Sequence, residues 1–125
     1  MYAANRATNA YRSVDLNSAP KHEILRRLFE RFLQDLEQGR IAIKAKDIVG
    51  KSKALDHAVA IVNELRASLD HTASPEMSAN LDQLYCFVTE RIYAASVKLD
   101  AKPLDEATKL MTEISAAFRE AMTRR

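Results

Sequence analysis

Ala54-Leu55-Asp56-His57-Ala58-Val59-Ala60-Ile61-Val62-Asn63-Glu64-Leu65-Arg66-Ala67-Ser68-Leu69-Asp70 is the stretch that decides the fold of this chain. Leu55, Ala58, Val62, Leu65 and Leu69 alternate steps of three and four without a break. That is the spacing of one helical face, whereas a half-buried strand would alternate at every second residue. Ile61 and Val59 widen the stripe.

Working outward, Asp70 to Ala73 reads as a link, and Ser74, Pro75 and Glu76 form a helix start. A Ser can cap free amides, a first-turn Pro sacrifices no hydrogen bond, and an acid suits the positive end of the helix dipole. This helix is expected to run to about Lys98, with a seam of Met77, Leu81, Leu84, Val88, Ile92, Ala95 and Leu99 and with Tyr85, Phe87 and Tyr93 displaced from it. Asp100 to Pro103 closes it and opens a last helix on Leu104, Ala107, Met111, Ile114, Phe118 and Ala121. Upstream, Ser18, Ala19 and Pro20 start a helix that reaches about Lys46 on Leu25, Leu28, Phe29, Phe32, Leu36 and Ile43. A break at Lys46 and Asp47 follows. The next helix starts weakly, because Gly50 costs about 1 kcal/mol against Ala within a helix. The expectation is an all-α, antiparallel up-down four-helix bundle over residues 18–125, preceded by a flexible N-terminal arm, residues 1–17.

Composition agrees with that class. The chain has 125 residues, enough for one domain, and 47% of them are hydrophobic. Only 2 Gly and 3 Pro are present, which argues against a Gly-rich sandwich, a phosphate-binding loop or a dinucleotide fold. Cys86 is the sole cysteine, so no intramolecular disulfide can form, and a reducing cytosol is the expected location. Met1 to Arg6 lacks the apolar run of a signal peptide, and no stretch approaches the roughly 20 apolar residues of a membrane span. Stable membrane insertion is therefore not expected.

The sequence is poor in chemistry. A di-iron bundle needs Glu-x-x-His motifs, and none occurs; His22, His57 and His71 are scattered, and Cys86 has no ligand partner at zinc spacing. Cys86 is expected to be a buried or half-buried apolar residue. No metal, cofactor or catalytic residue is expected, and the chain is not expected to be an enzyme. His57 raises one alternative, a histidine phosphotransfer module built on a four-helix bundle. That family places Lys and Gly soon after the histidine, whereas Ala58, Val59, Ala60 and Ile61 stand here, so a residue at the solvent edge is the preferred reading. The cations Arg26, Arg27, Arg31, Arg40, Lys44, Lys46, Lys51 and Lys53 are interrupted by Glu23, Glu30, Asp35 and Glu37, the pattern of a solvated helix face and not of a nucleic-acid surface.

What stands out is apolar surface in excess. A bundle helix needs about three apolar positions in seven. Ile61, Tyr85, Phe87 and Tyr93 lie beyond the seams; any one of them alone reads as widening the core or packing under the N-terminal arm, and together they offer a groove for another helix.

Four ordered patches then resemble the flagellin-specific export chaperones, the FliS family. Tyr11, followed by Ser18-Ala19-Pro20 and Leu28-Phe29-Glu30, is similar to that family's Tyr-containing arm, Ala-Ser-Pro-like start and Leu-Tyr/Phe-Asp. His57 to Asp70 resembles Lys-Ala-x-x-Ile-Ile/Val-x-x-Leu-x-x-Ser/Gly-Leu-Asp, with His57 for Lys. Asn80-Leu81-Asp82-Gln83-Leu84-Tyr85, then Phe87 and Arg91, resembles Asn-Leu-x-x-Leu-Tyr with its following aromatic and Arg. Met111 to Phe118 resembles the final Leu-x-x-Ile/Leu-x-x-Ala-Trp, with Phe118 for Trp.

The resemblance implies a cytosolic chaperone that binds the disordered C-terminal segment of flagellin, prevents premature polymerisation and meets the flagellar export gate. Its second and third patches imply a flagellin-binding groove of Ile61, Leu65, Leu69, Leu81, Tyr85, Val88 and Ile92, of which Leu65, Leu81 and Val88 also belong to the seams. Weak self-association through the same groove is a further option. The N-terminal arm would lie over the empty groove, with Tyr11 and Val14 as its plug. Deleting residues 1–16 should leave the bundle folded and tail binding undiminished when affinity is measured by calorimetry; a large loss of affinity would end the plug idea.

Overall fold

The computed structural model describes residues 19–72 and 74–123 and consists, over these, of four helices: α1 (Ala19–Lys44), α2 (Ile48–Ala67), α3 (Pro75–Lys98) and α4 (Lys102–Thr123). The expected arm of residues 1–17 and the Ser18 cap lie outside the described residues. α1 packs on α2 and α4, and α3 packs on the same two helices, so the bundle is a ring in chain order. Short turns make each successive pair antiparallel, as in an up-down bundle.

α1, α2 and α4 bury most of the strip their spacing implies, with Leu28 of the expected α1 seam only partly buried. Leu25, Phe29, Phe32, Leu36 and Ile43 of α1 are buried with Leu55, Ala58, Val62, Leu65 and Leu69 from α2 and the segment that follows it. Leu104, Ala107, Met111, Ile114 and Phe118 complete the core from α4. Phe29 and Phe118 meet across α1 and α4 with ring centroids 5.5 Å apart and planes tilted by 46°. On α3 the buried set is Ser78, Leu81, Tyr85, Val88, Ile92 and Ala95. This corrects the expected seam: Met77 and Leu84 are only partly buried, while Leu99 is exposed. Strict alternation of three and four keeps a strip centred on one face, whereas the two successive fours from Leu84 to Ile92 drift off it.

The ends also differ from expectation. α1 stops at Lys44, and Lys46 takes a left-handed conformation with φ 58°. α2 is not left to fray at Gly50, because Asp47 caps it, its carboxylate accepting from the Gly50 amide at 2.9 Å. The outer face of α1 carries the expected charges in pairs. Arg26 reaches Glu23 and Glu30, and Arg27 reaches Glu23 at 3.1 Å. The Arg26 hydrogen bond, helped by Arg27, pulls the Glu23 carboxyl down to about 2 against the usual 4.5.

α1 and α2 share the most extensive contact of the ring, and Gly39 explains why. A Cβ placed there would stand 2.5 Å from Leu55 Cδ2. Leu55 is itself buried, so its side chain would have to shift within the core. Gly39→Val should therefore lower unfolding stability by about 1–3 kcal/mol through overpacking, measured by chemical denaturation. An unchanged midpoint would show that the close approach is not required.

Candidate docking face

All seven expected groove residues lie in the bundle core. Ile61, Leu65, Leu81, Tyr85, Val88 and Ile92 are each at most 4% exposed, and Leu69 is 7% exposed. For Ile61 and Tyr85 this corrects the expectation that they sit on uncovered flanks. Tyr85 occupies the strip in place of Leu84, and Ile61 joins Val62 because α2 faces α1 and α3 at once. The other two flank residues are outside the core as expected, with Phe87 44% and Tyr93 52% exposed. Tyr11 and Val14 lie outside the described residues.

Among the described residues the exposed large apolar side chains are Ile48 and Val49 of α2, Phe87, Tyr93 and Val97 of α3 with Leu99 at its end, and Ile24 and Ile41 of α1. Polar bridges join α2 and α3 towards both ends of their shared seam. At one end Arg66 donates to Asp82 from Nε at 2.5 Å and Nη2 at 3.2 Å. The hydrogen bond to Asp82 raises the Arg66 pKa. At the other end the buried Lys51 ammonium donates to the Ser96 carbonyl at 3.2 Å and to its hydroxyl at 3.1 Å. Lys51 was expected on a solvated face. Its long stem fills the core edge while its head finds two acceptors on α3.

These bridges locate the flank. Tyr93 precedes Ser96 by one turn and Val97 follows Tyr93 by another, while Ile48 precedes Lys51 by one turn, with Val49 beside it. Val49 is 79% exposed and Val97 82% exposed, and Ile48 and Leu99 are also open to solvent. Leu99 caps α3 in the left-handed region, φ 53° and ψ 43°, a conformation that costs an ordinary L-residue about 1–2 kcal/mol. Exposed apolar side chains of α2 and α3 thus occur near the Lys51 end of their shared seam. Signal for them existed in the sequence, since Val49 and Val97 fall off every seam, but aromatic residues drew the reading instead.

Phe87 belongs elsewhere. The Arg91 guanidinium lies 5.9 Å from its ring centroid and reaches Glu106 of α4 at 3.3 Å, so Phe87 sits on the α3–α4 side. Glu90 is held below the usual carboxylate range by its hydrogen bond from Arg91. Cys86 is exposed, against the expectation of a buried or half-buried thiol, because it is one position beyond the strip residue Tyr85. His57 is at the solvent edge with Nδ1 on the Asp35 carboxylate at 2.5 Å. Among the described residues no three His, Cys, Asp or Glu side chains gather as a metal site, and no helix is long and apolar enough to cross a membrane.

Comparison with known proteins points in one direction. The family described as "Flagellar protein FliS" matches residues 3–125. A flagellar secretion chaperone FliS of Salmonella typhimurium is 30% identical, over 96% of this chain and 92% of the relative. The protein of that name from Escherichia coli is 30% identical over 98% and 93%, and the one from Bacillus subtilis is 26% identical over 90% and 84%. The phosphotransfer alternative finds no support among these relatives.

Burial separates two tyrosines that the sequence placed on one flank. Tyr85→Ala should lower unfolding stability by about 3–5 kcal/mol through loss of a buried aromatic, and Tyr93→Ala should change it by no more than about 0.5 kcal/mol. Chemical denaturation of the two variants checks this; equal effects would contradict the assigned strip.

Proposed function

This chain belongs to the FliS family, and from that premise we propose that it is a non-catalytic, cytosolic flagellar secretion chaperone for the C-terminal segment of flagellin. It holds that segment apart from other subunits and carries it to the flagellar export gate. The observation that supports this most is the exposure of the apolar side chains Ile48 and Val49 on α2 and Tyr93 and Val97 on α3.

The physical logic is substitution. A flagellin tail is disordered alone and amphipathic when it orders, and its apolar stripe would otherwise pack on neighbouring subunits. Ordering such a segment costs about 2–5 kcal/mol or more. Apolar side chains contribute roughly 1.5–3 kcal/mol each when fully buried, so several anchors must engage together. The flank offers them on two adjacent helices, in the helix-in-groove mode. Ile61, Leu65, Leu69, Leu81, Tyr85, Val88 and Ile92 enter this reading as the layer beneath, which holds α2 and α3 at the rotation that presents these side chains. In the same reading Tyr11 and Val14 cover them when no client is bound.

The triple variant Val49→Ser, Tyr93→Ser, Val97→Ser tests the proposal by calorimetric titration with a flagellin C-terminal peptide. Affinity should fall about tenfold or more, while the melting temperature stays within about 3 °C, because all three side chains are open to solvent. Unchanged affinity would remove this flank from the client site.

A further inference from the structure

A pocket opens between α1 and α2, with Gly50 and Lys53 on its α2 wall next to Val49. Its volume is about 370 Å³, within the range of small-ligand sites. α1 lines it with Arg31, Asp35 and Gln38, and α2 lines it with Lys53 and His57. Gly50 and Ala54 also line the α2 wall, and the capping carboxylate of Asp47 would collide with a Cβ on Gly50.

The electrostatics of the pocket are one-sided. Asp35 is buried, and both of its oxygens are engaged: Oδ2 by His57 Nδ1 at 2.5 Å and Oδ1 by Arg31 Nε at 3.3 Å. A ring nitrogen held on a carboxylate fixes the imidazole and leaves Nε2 for a ligand. Arg31 commits only Nε to Asp35, and its side chain is 61% exposed, so the terminal amino groups of its fork remain available for an oxyanion. Lys53 is exposed and forms no ion pair among the described residues. Arg31 and Lys53 place two positive charges against the one negative charge of Asp35, a net of one positive charge beside the imidazole, and a concave wall concentrates that field. A metal ion would find one carboxylate and one imidazole, too few for a site. A nucleobase would find no Phe, Tyr or Trp ring among the lining residues.

We propose that this pocket binds a small polyanion, a phosphate monoester or a di- or tricarboxylate, with Arg31 and Lys53 on its oxyanion and His57 and Gln38 beside it. Because its donors come from both helices, the bound anion bridges α1 to α2 and stabilises the fold by linkage. Nothing in this depends on the client assignment.

Thermal unfolding and amide shifts of the full chain, with inorganic phosphate or citrate as probe and sodium chloride at matched ionic strength as reference, test it. At least one probe should raise the melting temperature by about 5 °C or more at saturation, with saturable shifts at Gly50, Lys53 and His57. The response should be lost in Arg31→Gln/Lys53→Gln and kept in Lys44→Gln/Lys109→Gln, which removes cations elsewhere. Should the first variant fold poorly, the single exposed change Lys53→Met should still weaken binding at least threefold. A response to phosphate alone identifies the phosphate class, and a response to citrate alone the carboxylate class. No saturable shift with either probe, or a gain that chloride or the Arg31→Gln/Lys53→Gln protein reproduces, would overturn the proposal.

Discussion

A helix in a four-membered ring can give only one strip of its circumference to the shared core, and every other feature of this protein follows from how those strips are spent. Steps of three and four keep Leu81, Tyr85, Val88, Ile92 and Ala95 on one line of α3, and all are buried. Once that line is taken, Tyr93 and Val97 cannot also reach the core, and they remain in water. The same division on α2 buries Leu55, Ala58, Val62 and Leu65 and leaves Val49 outside. Exposed apolar surface is thus a by-product of a core already complete, and an available one.

The four contacts of the ring differ in character. α1 and α2 approach closely at Gly39, where a single Cβ would collide with Leu55. α2 and α3 are tied by Arg66 to Asp82 and by Lys51 to Ser96, polar links at the two ends of a less extensive contact. A rigid α1–α2 pair beside a polar-bridged α2–α3 seam gives a stable scaffold with one face open to an apolar helix. That division suits a chaperone, which must hold a client without chemistry and then release it.

Much of this was legible before any coordinates. The strips of α1, α2 and α4 follow directly from spacing, and the turns from Asp47, Ser74-Pro75 and Asp100 with the residues around them. The family was legible too, from four short patches in order. What periodicity could not supply was rotation on α3, where Leu84 and Tyr85 compete for one place and 100° separates core from flank. The Asp35–His57 pair and the Lys51–Ser96 bridge were hidden for a related reason: each joins residues distant in the chain, and single-helix patterns carry no information about partners across a seam. The expected groove residues came from the apolar patches that resemble the family, and such patches mark the strip that folds the bundle as strongly as any surface that binds.

The central claim is that a client docks on the outside of the α2–α3 seam while the core beneath stays closed. Amide hydrogen exchange of the full chain with and without a flagellin C-terminal peptide tests it most directly. The account predicts slowed exchange at the α2 and α3 segments around Val49, Tyr93 and Val97, with Leu65, Tyr85 and Val88 as protected in the free protein as in the complex. Free protein that exchanges rapidly at Leu65, Tyr85 and Val88 and becomes protected only with peptide, or a complex that protects α1 and α4 alone, would contradict it.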